Sequence, residues 1–195
     1  MSFTLDPRTC ALVLIDLQKG ILGVPLAPYG AAQIVENSVA LGRRFNDAGG
    51  TVVLVNVTFA NDSADRLKQE VDIPTPVPVG GMPAEWSEFA PEVGSLRADV
   101  IVTKRQWSAF YGTELDLQLR RRGVETIVLG GVVTNFGVES TARDAWQHNY
   151  SVVIAEDACA SRGADLHQFS VENVLRRVAR VRSTAEILAG LAAGG

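Results

Sequence analysis

Residues 130–145 read GGVVTNFGVESTARDA, and this stretch indicates the fold class because it joins an apolar strand to a helix through a glycine-containing turn. Small and polar side chains open the helix. A sharp turn of this kind holds one side chain and two backbone N–H groups toward a ligand, as in a nucleophile elbow. At the position where the nucleophile is expected, the sequence has Gly137, which has no side chain that can react.

Outward from this turn, apolar runs alternate with helical patterns. Helical spacing predicts helices over 34–48, 114–122 and 138–147, and glycines end the first two. Runs of Val, Ile and Leu that are near-continuous are typical of strands covered on both faces. They predict strands over residues 10–15, 51–57, 100–103, 126–129 and 151–155, with a short sixth strand among the arginines of 176–182. The alternation predicts one domain, 1–195, of the α/β class: a three-layer, doubly wound, Rossmann-like sheet of about six mainly parallel strands with helices on both faces.

Composition narrows the choice of partners and compartment. The net charge of −4 and the isoelectric point near 5.2 argue against nucleic acid, which requires a basic surface. The N-terminal residues have no secretory signal pattern, and apolar runs such as 127–133 are too short to span a bilayer. The two cysteines, Cys10 and Cys159, have no metal-binding spacing. We therefore expect a cytoplasmic protein with no nucleic-acid or membrane partner, no cofactor and no metal site.

The stretch 58–99 departs from the strand–helix alternation. It includes the run DIPTPVPVGGMP at 72–83, and its prolines exclude a central strand and disfavour a helix. Connections of this length in a compact domain are usually functional or face a partner. We interpret the stretch as either a cover near the ligand site or an oligomer contact, anchored by Trp86 and Phe89.

Polar side chains follow separate predicted strands at their carboxyl ends, where doubly wound sheets bind ligands. Asp16 ends the first strand, Lys104 ends the third, and the turn 132–137 follows the fourth. Taken singly, each has an ordinary structural explanation, since a buried aspartate often caps a turn and a lysine often lies along an apolar surface. Together they predict a site with an acid, a cation and backbone N–H groups.

Three motifs carry a family resemblance: ALVLIDLQKG at 11–20, VTKRQWSAFYGTEL at 102–115 and TNFGVESTARDA at 134–145. Over nearly its whole length the chain resembles the isochorismatase-like hydrolase superfamily, and within it the uncharacterised YecD-type branch with glycine at the elbow. Most members use an Asp–Lys–Cys triad, which the resemblance places at Asp16, Lys104 and Gly137. It further implies an oxyanion hole from the N–H groups of Val133 and Gly137, a cis peptide between Val132 and Val133, and a homo-oligomer of two or more subunits.

Further residues near these motifs are candidates for binding a substrate. Gln18 would either orient the Asp16 carboxylate or cap a turn. Aromatic rings after Lys104 would line a partly apolar pocket or pack in the core. The Cys159 thiol is the one alternative nucleophile that we considered, without an acid–base partner adjacent in sequence. The predicted substrate-binding residues are Gln18, Trp107, Phe110, Val133, Thr134, Asn135 and Phe136.

Replacing the family cysteine with glycine removes acyl-enzyme chemistry at this position, and the nicotinamidase metal motif is also missing from the sequence. The resemblance offers another reaction, because true isochorismatases also lack the cysteine and cleave a vinyl ether with the Asp as general acid and water as nucleophile. That reaction requires a protonated Asp16; Lys104 would lower its pKa and the apolar strand would raise it, and the sequence leaves this balance open. The segment VVTNFG also departs from the histidine-containing segment common in isochorismatases.

We therefore expect hydrolysis of a small anionic metabolite without a covalent cysteine intermediate. Two alternatives remain at this stage: a catalytically inactive member that binds a small molecule or a protein, and an amidase that uses another nucleophile.

Overall fold

All strands of the sheet are parallel, and they lie in the order β3-β2-β1-β4-β5-β6. The computed structural model describes residues 3–75 and 81–192. Its strands are β1 (Cys10–Ile15), β2 (Thr51–Val57), β3 (Val100–Lys104), β4 (Thr126–Val132), β5 (Ser151–Ala160) and β6 (Arg180–Arg182). The strand order reverses between β1 and β4, which places a topological switch point at the centre of the sheet.

Helices cover both faces of this sheet. They are α1 (Lys19–Leu22), α2 (Ala31–Ala48), α3 (Pro91–Gly94), α4 (Leu115–Arg121), α5 (Glu139–Gln147), α6 (Ala164–Phe169), α7 (Arg176–Val178) and α8 (Thr184–Ala192). Short 3₁₀ turns occur at Pro7–Thr9 and Ala84–Ser87, and π-helical turns occur at Thr134–Val138 and Ser170–Leu175. The predicted fold class, a doubly wound α/β sheet, is confirmed.

Alternate side chains of β1 enter two separate cores. Leu12 and Leu14 pack with residues of α2 and α8 on one face. Val13 and Ile15 pack with residues of α4 and α5 on the other. Because all four are fully buried, each stabilises the fold by about 1.5–3 kcal/mol through burial alone. The strand that carries Asp16 at its end is therefore the most rigidly held element of the sheet.

The prediction that the strands are covered on both faces is wrong for β3. Ile101 of β3 is 58% exposed and Thr103 is also exposed, whereas Val100, Val102 and Lys104 are buried. Since β3 is an edge strand, only one of its faces is packed, and the apolar composition of the strand does not reveal this.

Strands β4 and β5 extend further than the sequence predicts. The predicted fourth strand ends at residue 129, whereas in the structure Gly130, Gly131 and Val132 continue β4. Gly131 has a φ of 120°, and a Cβ atom there would lie 2.1 Å from the carbonyl oxygen of Ile15. Only glycine fits this close approach, and it carries β4 past the end of β1 before the turn begins.

Part of the proline-rich stretch lies outside the described residues, including the prolines at 76 and 78. The part after residue 81 docks beside the end of β1. Phe89 forms an antiparallel bridge with Gln18, and the Trp86 ring lies where a Cβ atom of Gly20 would be, 1.9 Å from Trp86 Cδ1. This docking places the segment beside Gln18 and Gly20, and its role as a cover or an oligomer contact stays a prediction. No helix of the described ranges is long and apolar enough to cross a membrane.

Candidate active site

Asp16 is the first residue after β1, and its backbone has the unusual φ of 53°. This left-handed conformation costs a residue with a side chain about 1–3 kcal/mol, and it persists because Asp16 N donates to the carbonyl of Val55 at 2.9 Å. The residue is 4% exposed. Its Oδ1 is buried with no hydrogen-bond partner among the described residues. A polar group on a ligand would satisfy that oxygen.

Lys104, at the end of β3, lies across β2 from Asp16 and forms a buried ion pair with it. Its Nζ lies 2.6 Å from Asp16 Oδ2 and donates also to the carbonyl of Gln106 at 3.0 Å. Burial raises the pKa of Asp16 to about 6, even though the charge and hydrogen bond of Lys104 act to lower it. The balance left open by the sequence is therefore decided by desolvation, and a protonated Asp16 is accessible near neutral pH.

Gly137 faces the same carboxylate. A Cβ atom at this residue would lie 3.3 Å from Asp16 Oδ2, 3.1 Å from Ile15 Cγ2 and 3.6 Å from the carbonyl oxygen of Trp107. Gly137 is not among the residues with positive φ, so the backbone conformation does not require glycine. The position where a family nucleophile would stand is thus beside the acid, and it carries no side chain.

The turn that contains Gly137 is held by its own backbone and by helix α5. The peptide between Val132 and Val133 is cis, as the resemblance implied. The Val133 carbonyl accepts hydrogen bonds from the N–H groups of Phe136 at 3.1 Å and Val138 at 3.3 Å. Thr141 donates its hydroxyl to the Gly137 carbonyl at 2.7 Å. The carbonyls of Val133 and Gly137 are thus used within the turn and α5, and the oxyanion hole from the N–H groups of these two residues stays a prediction.

The aromatic candidates separate into two environments. Trp107 and Phe136 stack with ring centroids 4.7 Å apart, and they are 58% and 37% exposed, which suits a rim around the site. Phe110 is 7% exposed, and its ring stacks on His148 at 5.2 Å. We therefore correct the assignment of Phe110 to the pocket, because its ring packs in the core beside Tyr150.

Gln18 is fully buried but does not hydrogen-bond to Asp16. Its Nε2 donates to the carbonyls of Val57 at 3.0 Å and Trp86 at 3.1 Å. Its Oε1 accepts from the N–H of Val57 at 2.8 Å. The side chain thereby ties the end of β2 to the 84–87 turn. This structural use replaces the expected contact with the carboxylate.

Sequence reasoning missed a second buried polar group at this edge. Thr134, the first residue of the π-helical turn, lies with its Oγ1 2.9 Å from Nδ1 of His167. His167 Nε2 lies 2.9 Å from Glu156 Oε1, and Tyr29 donates to Glu156 at 3.0–3.1 Å. The predicted site includes Thr134 but neither His167 nor Glu156. The available signal was the pair Glu156-Asp157, two acidic residues inside strand β5.

A small cavity of about 80 Å³ lies beyond the end of β2 and was also missed. Phe59, Arg66 and Trp86 are among its lining residues. The Arg66 guanidinium carbon lies 4.1 Å from the centroid of the Phe59 ring, and its Nη1 is buried without a hydrogen-bond partner in the described ranges. Thr58 N donates to the carbonyl of Lys104 at 3.3 Å, so the cavity adjoins the strand that carries the lysine. Such a donor suits a carboxylate.

Neither cysteine is placed as a nucleophile. Cys10 and Cys159 are 1% and 0% exposed, and burial raises the pKa of both thiols, which disfavours the reactive thiolate. Glu139 and Arg143, four residues apart on α5, form an ion pair at 2.9 Å. Within residues 3–75 and 81–192, no group of three or more His, Cys, Asp and Glu side chains is placed to hold a metal ion.

Fold and site together define a class of protein: a doubly wound α/β protein with a buried acid–lysine pair facing a strand-to-helix turn. A model of the isochorismatase domain matches residues 10–186 of the chain. The chain therefore belongs to the isochorismatase family, whose members are hydrolases.

Individual relatives agree with this membership. The chain is 48% identical over 187 residues to the uncharacterised isochorismatase family protein YecD of Escherichia coli O157:H7, covering 96% of this chain and 98% of that protein. It is 27% identical over 173 residues to maleamate amidohydrolase of Pseudomonas putida, covering 86% and 79%. The structure of an isochorismatase family protein from Burkholderia thailandensis is similar with a TM-score of 0.91 at 41% identity, covering 98% of this chain and 100% of that one.

Proposed function

We propose that this protein hydrolyses a small anionic metabolite with water as the nucleophile and Asp16 as the acid. The observation that carries the proposal is the buried Asp16–Lys104 pair facing Gly137, a position with no side chain. An acid that faces a residue without a side chain, and therefore without a thiol, favours a reaction in which water rather than the protein is the nucleophile. Vinyl-ether cleavage is the most concrete reaction of this kind.

The chemistry needs a proton donor that is still protonated near neutral pH. With a pKa of about 6, about a tenth of Asp16 is protonated at pH 7. Asp16 would give its proton to the terminal carbon of the enol ether, leaving an oxygen-stabilised cation. Water adds to that cation, loses a proton to the carboxylate, and the resulting hemiketal breaks its ether C–O bond to release pyruvate and an alcohol.

Three features support an anionic substrate. Lys104 supplies a fixed positive charge at the acid. The turn between Val133 and Gly137 precedes helix α5, and N–H groups at such a turn favour negative charge. The Arg66 guanidinium retains an unused donor in the adjoining cavity. A carboxylate of the substrate would satisfy that donor.

The test measures the turnover of isochorismate through the release of pyruvate, and it compares the wild type with Asp16→Asn. Asp47→Asn is the matched control, since it removes the same charge at an exposed position of α2. We expect turnover in the wild type and the control, and a loss of at least about 100-fold in Asp16→Asn. Because the acid acts in its protonated form and the pKa of about 6 is that of the free protein, kcat/KM should fall as the pH rises through about 6. Equal turnover in Asp16→Asn would refute the acid role. No turnover in the wild type would refute isochorismate as the substrate and leave either another small anionic substrate or a binding protein.

A second candidate reaction, amide hydrolysis, is favoured by the similarity to maleamate amidohydrolase. It requires another nucleophile than residue 137. Release of ammonia from maleamate by the wild type would support it, and iodoacetamide would then show whether a thiol is used. Since both thiols are buried, we expect no ammonia release and no effect of iodoacetamide on isochorismate turnover.

A further inference from the structure

A buried hydrogen-bonded chain runs from β5 through α6 to the turn that holds Gly137. Glu156 accepts from His167 at 2.9 Å, and the opposite nitrogen of the His167 ring lies 2.9 Å from the Thr134 hydroxyl. Thr134 is 0% exposed and His167 is 3% exposed. A polar side chain buried this deeply without a partner would cost about 1–3 kcal/mol. The hydrogen bonds from Glu156 through His167 to Thr134 avoid that cost.

The neighbours of His167 determine where its proton lies. The hydrogen bond from His167 holds the pKa of Glu156 below its usual range, and the hydrogen bond from Tyr29 acts in the same direction. Burial and Glu156 raise the pKa of Tyr29 to about 12, so its hydroxyl remains a donor. Glu156 is therefore an ionised acceptor, and Nε2 of His167 carries the hydrogen. In the neutral ring, Nδ1 is then left as an acceptor for the hydroxyl of Thr134.

Thr134 is the residue that connects the hydrogen bonds of Glu156 and His167 to the candidate active site. It lies between Val133 and Gly137, whose N–H groups are the proposed anion donors. A β-branched side chain with a fixed χ1 also fixes its backbone, so holding the hydroxyl holds the first peptide of the turn. The rest of the turn is held independently, because Ser161 donates to the Asn135 side chain at 2.5 Å and Thr141 donates to Gly137.

We propose that His167, oriented by Glu156, is a positioning residue for hydrolysis at this site and acts by holding Thr134. The role rests on the proposed function, since it concerns how the turn stabilises charge in that reaction. Neither His167 nor Glu156 need touch the substrate. Misplacing the donors of the turn by a fraction of an ångström affects the transition state more than the bound substrate, so the effect belongs to the turnover number.

The first experiment reads the proton position directly and needs no substrate. The chain has two histidines, and the other, His148, is exposed, so ¹⁵N-histidine labelling gives two ring systems with an internal reference. We expect Nε2 of His167 to carry a hydrogen and to donate it to Glu156, and Nδ1 to be hydrogen-bonded to Thr134. Thr134→Val moves the Nδ1 signal and Glu156→Gln moves the Nε2 signal. A ring without a hydrogen on Nε2, or an Nδ1 signal that Thr134→Val leaves in place, would overturn the assignment.

The second experiment measures whether the hydrogen bonds from Glu156 through His167 to Thr134 position the turn. Thr134→Val keeps the shape and removes the hydroxyl, whereas Thr134→Ser keeps the hydroxyl. Ser170→Ala is the matched control, because Ser170 is equally buried and donates to Glu139 at 2.7 Å at the start of α5. We expect Thr134→Val to lower kcat for isochorismate on the order of 10- to 100-fold with KM nearly unchanged. Thr134→Ser should restore kcat to within about threefold, and Ser170→Ala should leave it unchanged.

Amide spectra separate a failure of this proposal from a failure of the proposed function. Thr134→Val should shift the backbone signals of residues 135–137, and Ser170→Ala should not. If the wild type does not turn over isochorismate, these shifts still test the positioning role. Unmoved signals in Thr134→Val, or an equal loss of kcat in Ser170→Ala, would refute that role and leave a general contribution to stability.

Discussion

The pKa of Asp16 makes a quantitative prediction about stability. Its value of about 6 in the folded chain, against 3.8 for an unperturbed carboxyl, corresponds to about 3 kcal/mol of differential interaction. Because the folded pKa is raised, this stability is fully present below about pH 4 and is lost as the pH rises through about 6. Above that range Asp16 is ionised in both states. Its charge is solvated in the unfolded chain and buried in the folded chain, which lowers the free energy of unfolding.

The assay compares the wild type with Asp16→Asn by urea unfolding, followed by the fluorescence of the three tryptophans, at several pH values. Other carboxylates contribute equally to both proteins, so the difference in the free energy of unfolding isolates Asp16. We expect the wild type to lose about 2 kcal/mol relative to the variant between about pH 4.5 and pH 7.5. The drop should be larger in Lys104→Met, since the cation that lowers the pKa is then gone.

The reasoning would be refuted by a difference that rises with pH. That result would mean that the Lys104 charge outweighs desolvation and that the pKa of Asp16 is lowered. A flat difference would equally contradict the raised pKa. In either case Asp16 would be ionised near neutral pH, and its role as an acid would have to be replaced by that of a base.

Three further substitutions test the geometry. Gly137→Ala places a methyl group 3.1 Å from Ile15 Cγ2 and 3.3 Å from Asp16 Oδ2. We expect a loss of roughly 1–3 kcal/mol by thermal unfolding and a larger proportional loss of isochorismate turnover, because the methyl group crowds the Asp16 carboxyl. In Gly131→Ala the new Cβ atom would lie 2.1 Å from the Ile15 carbonyl oxygen, at a residue with a φ of 120°. This change should destabilise the fold by more than about 4 kcal/mol, measured as a loss of soluble folded protein. A stable variant would contradict the close approach. Gln18→Ala removes hydrogen bonds to Val57 and to the 84–87 turn and should cost about 2–3 kcal/mol, with faster amide exchange in that turn but not in α4.

The strand ends, and with them the main site residues, follow from general rules. Parallel strands deliver their carboxyl ends to one edge, so Asp16, Lys104 and the turn at Gly137 were expected to meet there, and the structure brings them together. The Gly130-Gly131 pair lies inside β4 and beyond the predicted strand 126–129, because glycine marks both strand ends and close backbone approaches. Only the neighbouring strand distinguishes the two.

The remaining features depend on packing that periodicity does not encode. His167 reaches Thr134 because β5 lies beside β4 and α6 returns to the same edge, although 33 positions separate the two residues. The ring of Phe110 could be assigned to a pocket or to the core only once its neighbours were known. The sign of the Asp16 pKa shift required the extent of burial, which opposes an ion pair that the sequence did indicate.

The direction of the missing Cβ bond at Gly137 has an evolutionary consequence. A glycine codon GGT or GGC becomes a cysteine codon by a change of its first base. The new Cβ would stand 3.3 Å from Asp16 Oδ2, and the methyl group of Ile15 would have to move by only a few tenths of an ångström. From either of those codons, one nucleotide separates this site from one with a cysteine beside Asp16 and Lys104, and the side chain of Ile15 is the neighbour that would have to give way.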